Sequence, residues 1–208
     1  MYDGEKFNSI SHLLGAVLAL VGFGALLTVS IQLNTVASIV SFIVFGLTLV
    51  LLYTASTLYH SFRSPRLKRF FQQLDHISIY LLIAGTYTPY MVVSLGDGNG
   101  LVMLVLVWGL AFVGLLLDAL VPKRVETLQI VIYLLMGWVC VFEFSHLRAA
   151  IALPGIVLLV IGGVAYTVGI IFYVLGHLKK LNHAHGVWHI FVLVGSVSHF
   201  ASVIAYVR

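Results

Sequence analysis

Charge is scarce in this chain: only 9% of its 208 residues are charged. A soluble globular domain carries about a quarter, so a water-soluble fold is excluded. Cys140 is the only cysteine, which rules out an internal disulfide and leaves the redox compartment open. No segment is of low complexity and no internal sequence repeat is evident. The connections between apolar runs are short, the longest lying at 63–69 and 177–184, so there is no room for a second, soluble domain. The chain also lacks a basic start. Asp3 and Glu5 precede the first apolar run, which is too long for a signal-peptide core, so that run is expected to be retained as a helix.

What the chain does have is apolar sequence, 61% of it hydrophobic. A helix needs roughly 20 apolar residues to cross a hydrocarbon core about 30 Å thick. Hydropathy divides the sequence into seven such stretches, near 9–31, 36–62, 70–93, 101–121, 127–147, 149–176 and 185–207. The expected fold is all-α, a single seven-transmembrane-helix domain over residues 1–208. The formal net charge of +4 does not point to nucleic acid, because the basic residues mark topology instead. With the N-terminus in the cytoplasm, Lys6, Arg63, Arg66, Lys68, Arg69, Lys123, Arg124, Lys179 and Lys180 fall inside, and Arg148 and Arg208 outside. Nine against two is a strong positive-inside bias, which sets the N-terminus in and the C-terminus out.

Helix direction then gives each unusual polar residue a depth. The second span brings Ser56 and His60, four apart and so on one face, toward its cytoplasmic end. The third begins inside and carries Asp75. The seventh also begins inside and presents His185 and His189, again four apart, while His12 of the first span reaches a similar level. Ionisable groups in a membrane are costly and face a partner, the bundle interior or a water-filled cavity, so one shared site explains the convergence. His-x-x-x-His sets two imidazoles about 6 Å apart on one helix face. With His60 they make the three-ligand set of a catalytic zinc ion, which lowers the pKa of a bound water to about 7. Asp75 is placed to accept or orient that water's proton, and Ser56 to hydrogen-bond the water or a developing oxyanion. Each piece has a plainer explanation. Spaced histidines often bond between helices, Asp75 can pair with Arg69 or Lys68, and Ser56 can bond back to its own helix. Imidazoles also suit iron, nickel or copper.

Three ordered motifs, "STLYH" at Ser56 to His60, "LDHISIYLLIAGTYTPY" around Asp75, and "HGVWH" at His185 to His189, resemble the hemolysin III family. That family is the bacterial branch of the progestin and adiponectin receptor superfamily, related to alkaline ceramidases. The resemblance runs from about Glu5 to the end of the chain and takes in the start "GEKFNSISHLLG", whose Glu5, Asn8 and His12 match without an evident role. It implies a seven-helix bundle with the N-terminus in, in a bacterial inner (plasma) membrane. It also implies zinc on His60, His185 and His189, with Ser56 and Asp75 at the bound water. The short stretch before the first span differs from the animal hormone receptors, so a hormone-receptor function is not expected.

The function expected from residues and resemblance together is zinc-dependent hydrolysis of a lipid amide or ester, with a role in membrane lipid homeostasis. Membrane lipids are the expected partners, and nucleic acid is not. The alternative is a non-enzymatic cytolytic or membrane-sensing protein in which zinc staples spans. A proton-coupled transporter ranks third, because the acids are not spread through the membrane depth.

Other polar residues read as structural. His199 stands about 15 Å along the helix from His189 and is expected to bond within the bundle. His76 points away from Asp75, and His146 sits at the outer interface. His177 and His183 fall in a solvated loop. Asp118 is expected near Lys123 and Arg124, and Glu143 in an ion pair with Arg148. Gly155, Gly162, Gly169 and Gly176 repeat every seven residues and predict a smooth packing face. Pro89, four residues after Gly85, predicts a kink in the third span.

Overall fold

The computed structural model describes residues 4–96, 98–120 and 125–208, and these form helices with no strand among them. In chain order the helices are α1 (Lys6–Leu33), α2 (Val36–Ser61), α3 (Pro65–Pro89), α4 (Gly100–Leu120), α5 (Glu126–Trp138), α6 (Phe144–Ala150), α7 (Leu153–His177) and α8 (Ala184–Tyr206). They make seven spans among the described residues, each of 21 to 30 residues and apolar enough to cross a membrane. At 1.5 Å per residue even the 21-residue α4 reaches about 30 Å, the thickness of the hydrocarbon core. Lys123 and Arg124, two of the basic residues used for topology, lie outside the described residues.

Local chemistry explains the helix ends. Asn34 takes the left-handed conformation at φ 54° and closes α1, its N–H donating to the Ser30 and Ile31 carbonyls. The Thr35 hydroxyl then accepts from the Ser38 N–H at 3.0 Å and caps α2. The turn between α1 and α2 is therefore two residues long. α3 starts at Pro65, five residues before the apolar stretch at 70, because proline suits a first helical turn and the charged turn that follows projects beyond the hydrocarbon.

Two spans depart from regular α-helix. The third does not simply kink at Pro89. The helix passes into a π-turn at Tyr90–Ser94, which accommodates the missing proline N–H. The fifth, expected to be continuous over 127–147, is α5 joined to α6 through a 3-10 turn at Val139–Glu143, and it extends to Ala150. The next helix begins at Leu153 rather than 149, behind extended Ile151.

Packing puts α2, the third span and α8 at the centre, each with half or more of its most apolar stretch buried. Leu26, Phe42, Phe45, Tyr80, Met136 and Val203 form the dry core. The bundle presents the reverse of a soluble surface: Val21, Val36, Leu101 and Val105 are each at least 65% exposed. A continuous apolar exterior of this kind belongs in lipid. The seven-residue glycine repeat packs α7 on α8. Gly155 faces Tyr206, Gly162 faces His199 and the Gly195 carbonyl, and Gly169 faces Trp188 and Phe191. This close approach fixes the rotation of α8 and hence the direction of its histidines.

Candidate metal centre

His60 is the second-last residue of α2, and His185 and His189 occupy the first two turns of α8. The pairing of α1 with α2 and of α7 with α8 brings both helix ends to one level of the bundle. There one ligand atom from each of the three histidines lies within 4.8 Å of the other two. The ring centroids stand 5.1 Å apart for His60 and His185, 5.0 Å for His60 and His189, and 4.8 Å for His185 and His189. Such a group can hold one metal ion. His60 and His189 are at most 2% exposed.

The hydrogen bonds decide which nitrogens face inward. His60 Nδ1 lies 2.7 Å from Glu5 Oε2, and donation to that carboxylate leaves Nε2 buried with no protein partner. His189 Nδ1 lies 3.1 Å from both the Asn8 carbonyl and Ser11 Oγ, and the Ser11 hydroxyl itself donates to the Asn8 carbonyl at 2.9 Å. Both imidazoles are thus assigned as Nδ1–H tautomers with Nε2 available, the arrangement that ligating histidines adopt. The His12 ring stacks on His189 at 3.5 Å and 13°, and meets Tyr53 edge-on at 5.1 Å.

Four buried polar atoms collect at this place without a protein partner: His60 Nε2, Ser56 Oγ and both ring nitrogens of His12. A buried polar atom left unsatisfied costs about 1–3 kcal/mol, and these four lie beside the three converging histidines. The donor set is nitrogen-rich and largely buried, which fits a zinc-type ion better than the hard oxygen sites of calcium or magnesium.

Ser56, Asp75, His185 and His189 line one end of a cavity of about 360 Å³. The cavity continues into the bundle past Tyr166, Ile170 and Val192 to His199. Of the five residues expected to share a site, all come to this end of the bundle; His60 stands behind the cavity wall, against His185 and His189. Asp75 reaches the cavity from α3, one residue before His76, whose Nδ1 lies 2.6 Å from the Gln72 carbonyl.

The sequence reading left Glu5, Asn8 and His12 without a role and did not single out Ser11. The signal was their spacing: residues 5, 8, 11 and 12 follow one face of a 3.6-residue helix. Lys68 bonds Glu5 Oε1 at 3.0 Å. Burial raises the Glu5 carboxyl, but hydrogen bonds from His60, Asn8 and Lys68 outweigh that and hold it at about 2. Glu5 therefore stays anionic at neutral pH.

Elsewhere, His199 donates from Nε2 to the Leu159 carbonyl at 3.0 Å, as a bundle-bonded histidine should. Glu143 departs from the expected pair with Arg148: His146 sits 2.7 Å from its Oε2, and Asn99 donates to its Oε1 at 3.0 Å. The 3-10 turn carries Glu143 toward those partners. Asp118 accepts a hydrogen bond from Gln129 of α5, and its expected neighbours Lys123 and Arg124 lie outside the described residues. His177 is not merely solvated, since its Nδ1 lies 3.0 Å from Glu126 Oε2 across the α5 and α7 seam.

Fold and site together define an integral membrane protein of seven spans with three histidines able to hold a metal ion near one end of the bundle. Residues 2–200 match the family described as Haemolysin-III related, and the chain belongs to that family. It is 38% identical to the hemolysin-3 homolog of Bacillus subtilis over 97% of this chain and 93% of the relative. It is 36% identical to hemolysin-3 of Bacillus cereus over 98% of this chain and 91% of that protein. The monocyte to macrophage differentiation factor of Homo sapiens is 25% identical over 78% of this chain and 68% of its own length. No solved structure matches.

Proposed function

We propose that this protein is a zinc-dependent intramembrane hydrolase of a lipid amide or ester, acting in membrane lipid homeostasis. The observation that carries the reading is the meeting of His60, His185 and His189 beside Ser56 and Asp75 at the mouth of a long, mostly apolar cavity. His60, His185 and His189 would hold the ion, which when bound supplies a Lewis acid and an activated water at neutral pH. The Asp75 carboxylate would take the proton of the attacking water as general base and return it to the leaving amine or alcohol. The Ser56 hydroxyl, buried and unpartnered, would donate to the oxygen that gains charge on the scissile carbonyl. The apolar lining of the cavity would take the hydrocarbon part of the substrate and exclude water from it. On this reading the site opens to the cytoplasmic leaflet of a bacterial plasma membrane, because the basic residues collect at the same end as His60.

Detergent-purified protein is expected to carry about one zinc per chain on elemental analysis, the stoichiometry of a three-histidine site. A His185→Ala, His189→Ala double variant should carry almost none. Zinc absent from both preparations would remove the basis of the reading.

A second reading, a cytolytic or membrane-sensing protein with zinc as a staple, is favoured by the hemolysin-3 name of the Bacillus cereus relative. A structural zinc prefers four protein ligands, and here three histidines meet at the end of a cavity whose lining includes an acid and a hydroxyl. Zinc-independent vesicle leakage together with absent turnover of lipid amides and esters would favour this second reading over the first.

A further inference from the structure

The motif at the start of the chain, Glu5, Asn8, Ser11 and His12, makes no contact that the proposed chemistry needs. Every one of the four nevertheless touches a metal-site histidine directly or helps hold one. Glu5 Oε2 holds His60 Nδ1 at 2.7 Å, and Asn8 Nδ2 donates to the same oxygen at 2.9 Å. The Asn8 carbonyl and the Ser11 hydroxyl hold His189 Nδ1, and His12 covers the face of the His189 ring. The spacing lets one helix face serve two ligands that come from α2 and α8.

The geometry points to Glu5 as a positioning residue that sets the affinity of the site for its metal, with Lys68 tuning Glu5. A carboxylate on Nδ1–H fixes the tautomer and ring orientation, and pushes electron density toward Nε2, making that nitrogen a stronger donor. Glu5 is the one acid bonded to any of the three histidines among the described hydrogen bonds. Lys68 draws on the other oxygen of the same carboxylate at 3.0 Å and takes part of its charge. Glu5 and Lys68 therefore act in opposite directions on the metal although they bond to each other. A purely structural clamp between α1 and α3 would make them act in the same direction. The inference rests on the metal-binding half of the proposed function and not on the hydrolytic half.

The test is zinc affinity of the full-length protein in detergent, stripped of metal and titrated against a chromophoric chelator. Glu5→Gln keeps the size and hydrogen-bonding reach of the side chain while removing its charge, and should weaken zinc binding about 10–100-fold. Lys68→Met should bind zinc as tightly as the parent or more tightly. Cobalt(II) in place of zinc should keep the same absorption band shape in both variants, since the three ligands are unchanged. If Glu5→Gln does not fold, as read by thermal unfolding of the metal-free protein, Glu5→Asp replaces it under the same criterion, because it keeps the charge but cannot reach His60. Affinity of the glutamate variant within twofold of the parent overturns the inference, as does an equal loss in Lys68→Met. A parent that binds no zinc sinks both this inference and the proposed function. A parent that binds zinc with unchanged affinity in Glu5→Gln defeats this inference alone.

Discussion

The buried nitrogens and oxygens at one end of the bundle divide into two sets. Those with protein partners orient the ligands: Glu5 on His60, and Asn8 and Ser11 on His189. Those without, His60 Nε2, Ser56 Oγ and both ring nitrogens of His12, collect beside the three histidines. Asp75 lines the cavity from α3 and is not one of the three residues able to hold the ion, all of them histidines. This separation makes its proposed role testable independently of metal binding. Asp75→Asn is expected to keep the zinc content of the parent and to lower turnover of a susceptible lipid amide or ester about 10²–10⁴-fold, the usual contribution of a general base. Ser56→Ala should likewise keep the metal and lose about 10²–10³-fold if its hydroxyl meets the developing oxyanion. Loss of zinc in either variant would move that residue from the reaction to the support of the site. Spacing put Ser56 with His60 and His185 with His189, because i and i+4 positions share a helix face whatever surrounds the helix, and the direction of the third span put Asp75 at their level. Glu5 was legible only as part of a motif, because its use depends on the end of a different helix.

At the scale of elements, the α7 and α8 pair carries most of the constraint on the site. Gly162 lies under His199 so closely that a Cβ at this position would stand 2.2 Å from that ring, with the Gly195 carbonyl 3.1 Å away on the other side. Gly163, the next residue, meets nothing within 4 Å. The pair makes a controlled comparison. Gly162→Val should destabilise the protein by about 1–3 kcal/mol, the cost of overpacking a close helix contact, and lower zinc occupancy by rotating α8. Gly163→Ala should keep the thermal midpoint in detergent at or above that of the parent, since it fills open space and improves helix propensity. Similar midpoints for the two variants would contradict the packing described. The seven-residue repeat disclosed this face in the sequence, but not which helix lies against it. The break of the fifth span at Val139–Glu143 left no such trace: hydropathy averages over a whole stretch and does not distinguish a 3-10 turn from an α-turn of equal apolarity.

For the whole molecule, the distribution of charge makes the strongest prediction about orientation. Among the described residues, seven basic residues fall at the end that carries the three histidines, and two at the other. A reporter fused at the N-terminus is expected on the cytoplasmic side of the membrane and one fused after Arg208 on the opposite side, as odd numbers of spans require. The reverse assignment, read by protease protection in sealed vesicles, would turn the metal site outward and remove the cytoplasmic leaflet as the source of substrate. Composition and periodicity alone determined the membrane environment, the seven spans, and the helix faces shared by Ser56 with His60 and by His185 with His189. These follow from length along an axis and position around it, which are properties of a single helix. The tertiary structure decided which faces meet: Glu5 with His60 and Lys68, Ser11 and Asn8 with His189, Glu143 with His146 and Asn99 rather than Arg148. Each of those pairings depends on the relative rotation of separate elements or on a local turn. Close contacts such as those of Gly162 and Gly169 with α8 fix that rotation, and no single segment encodes it.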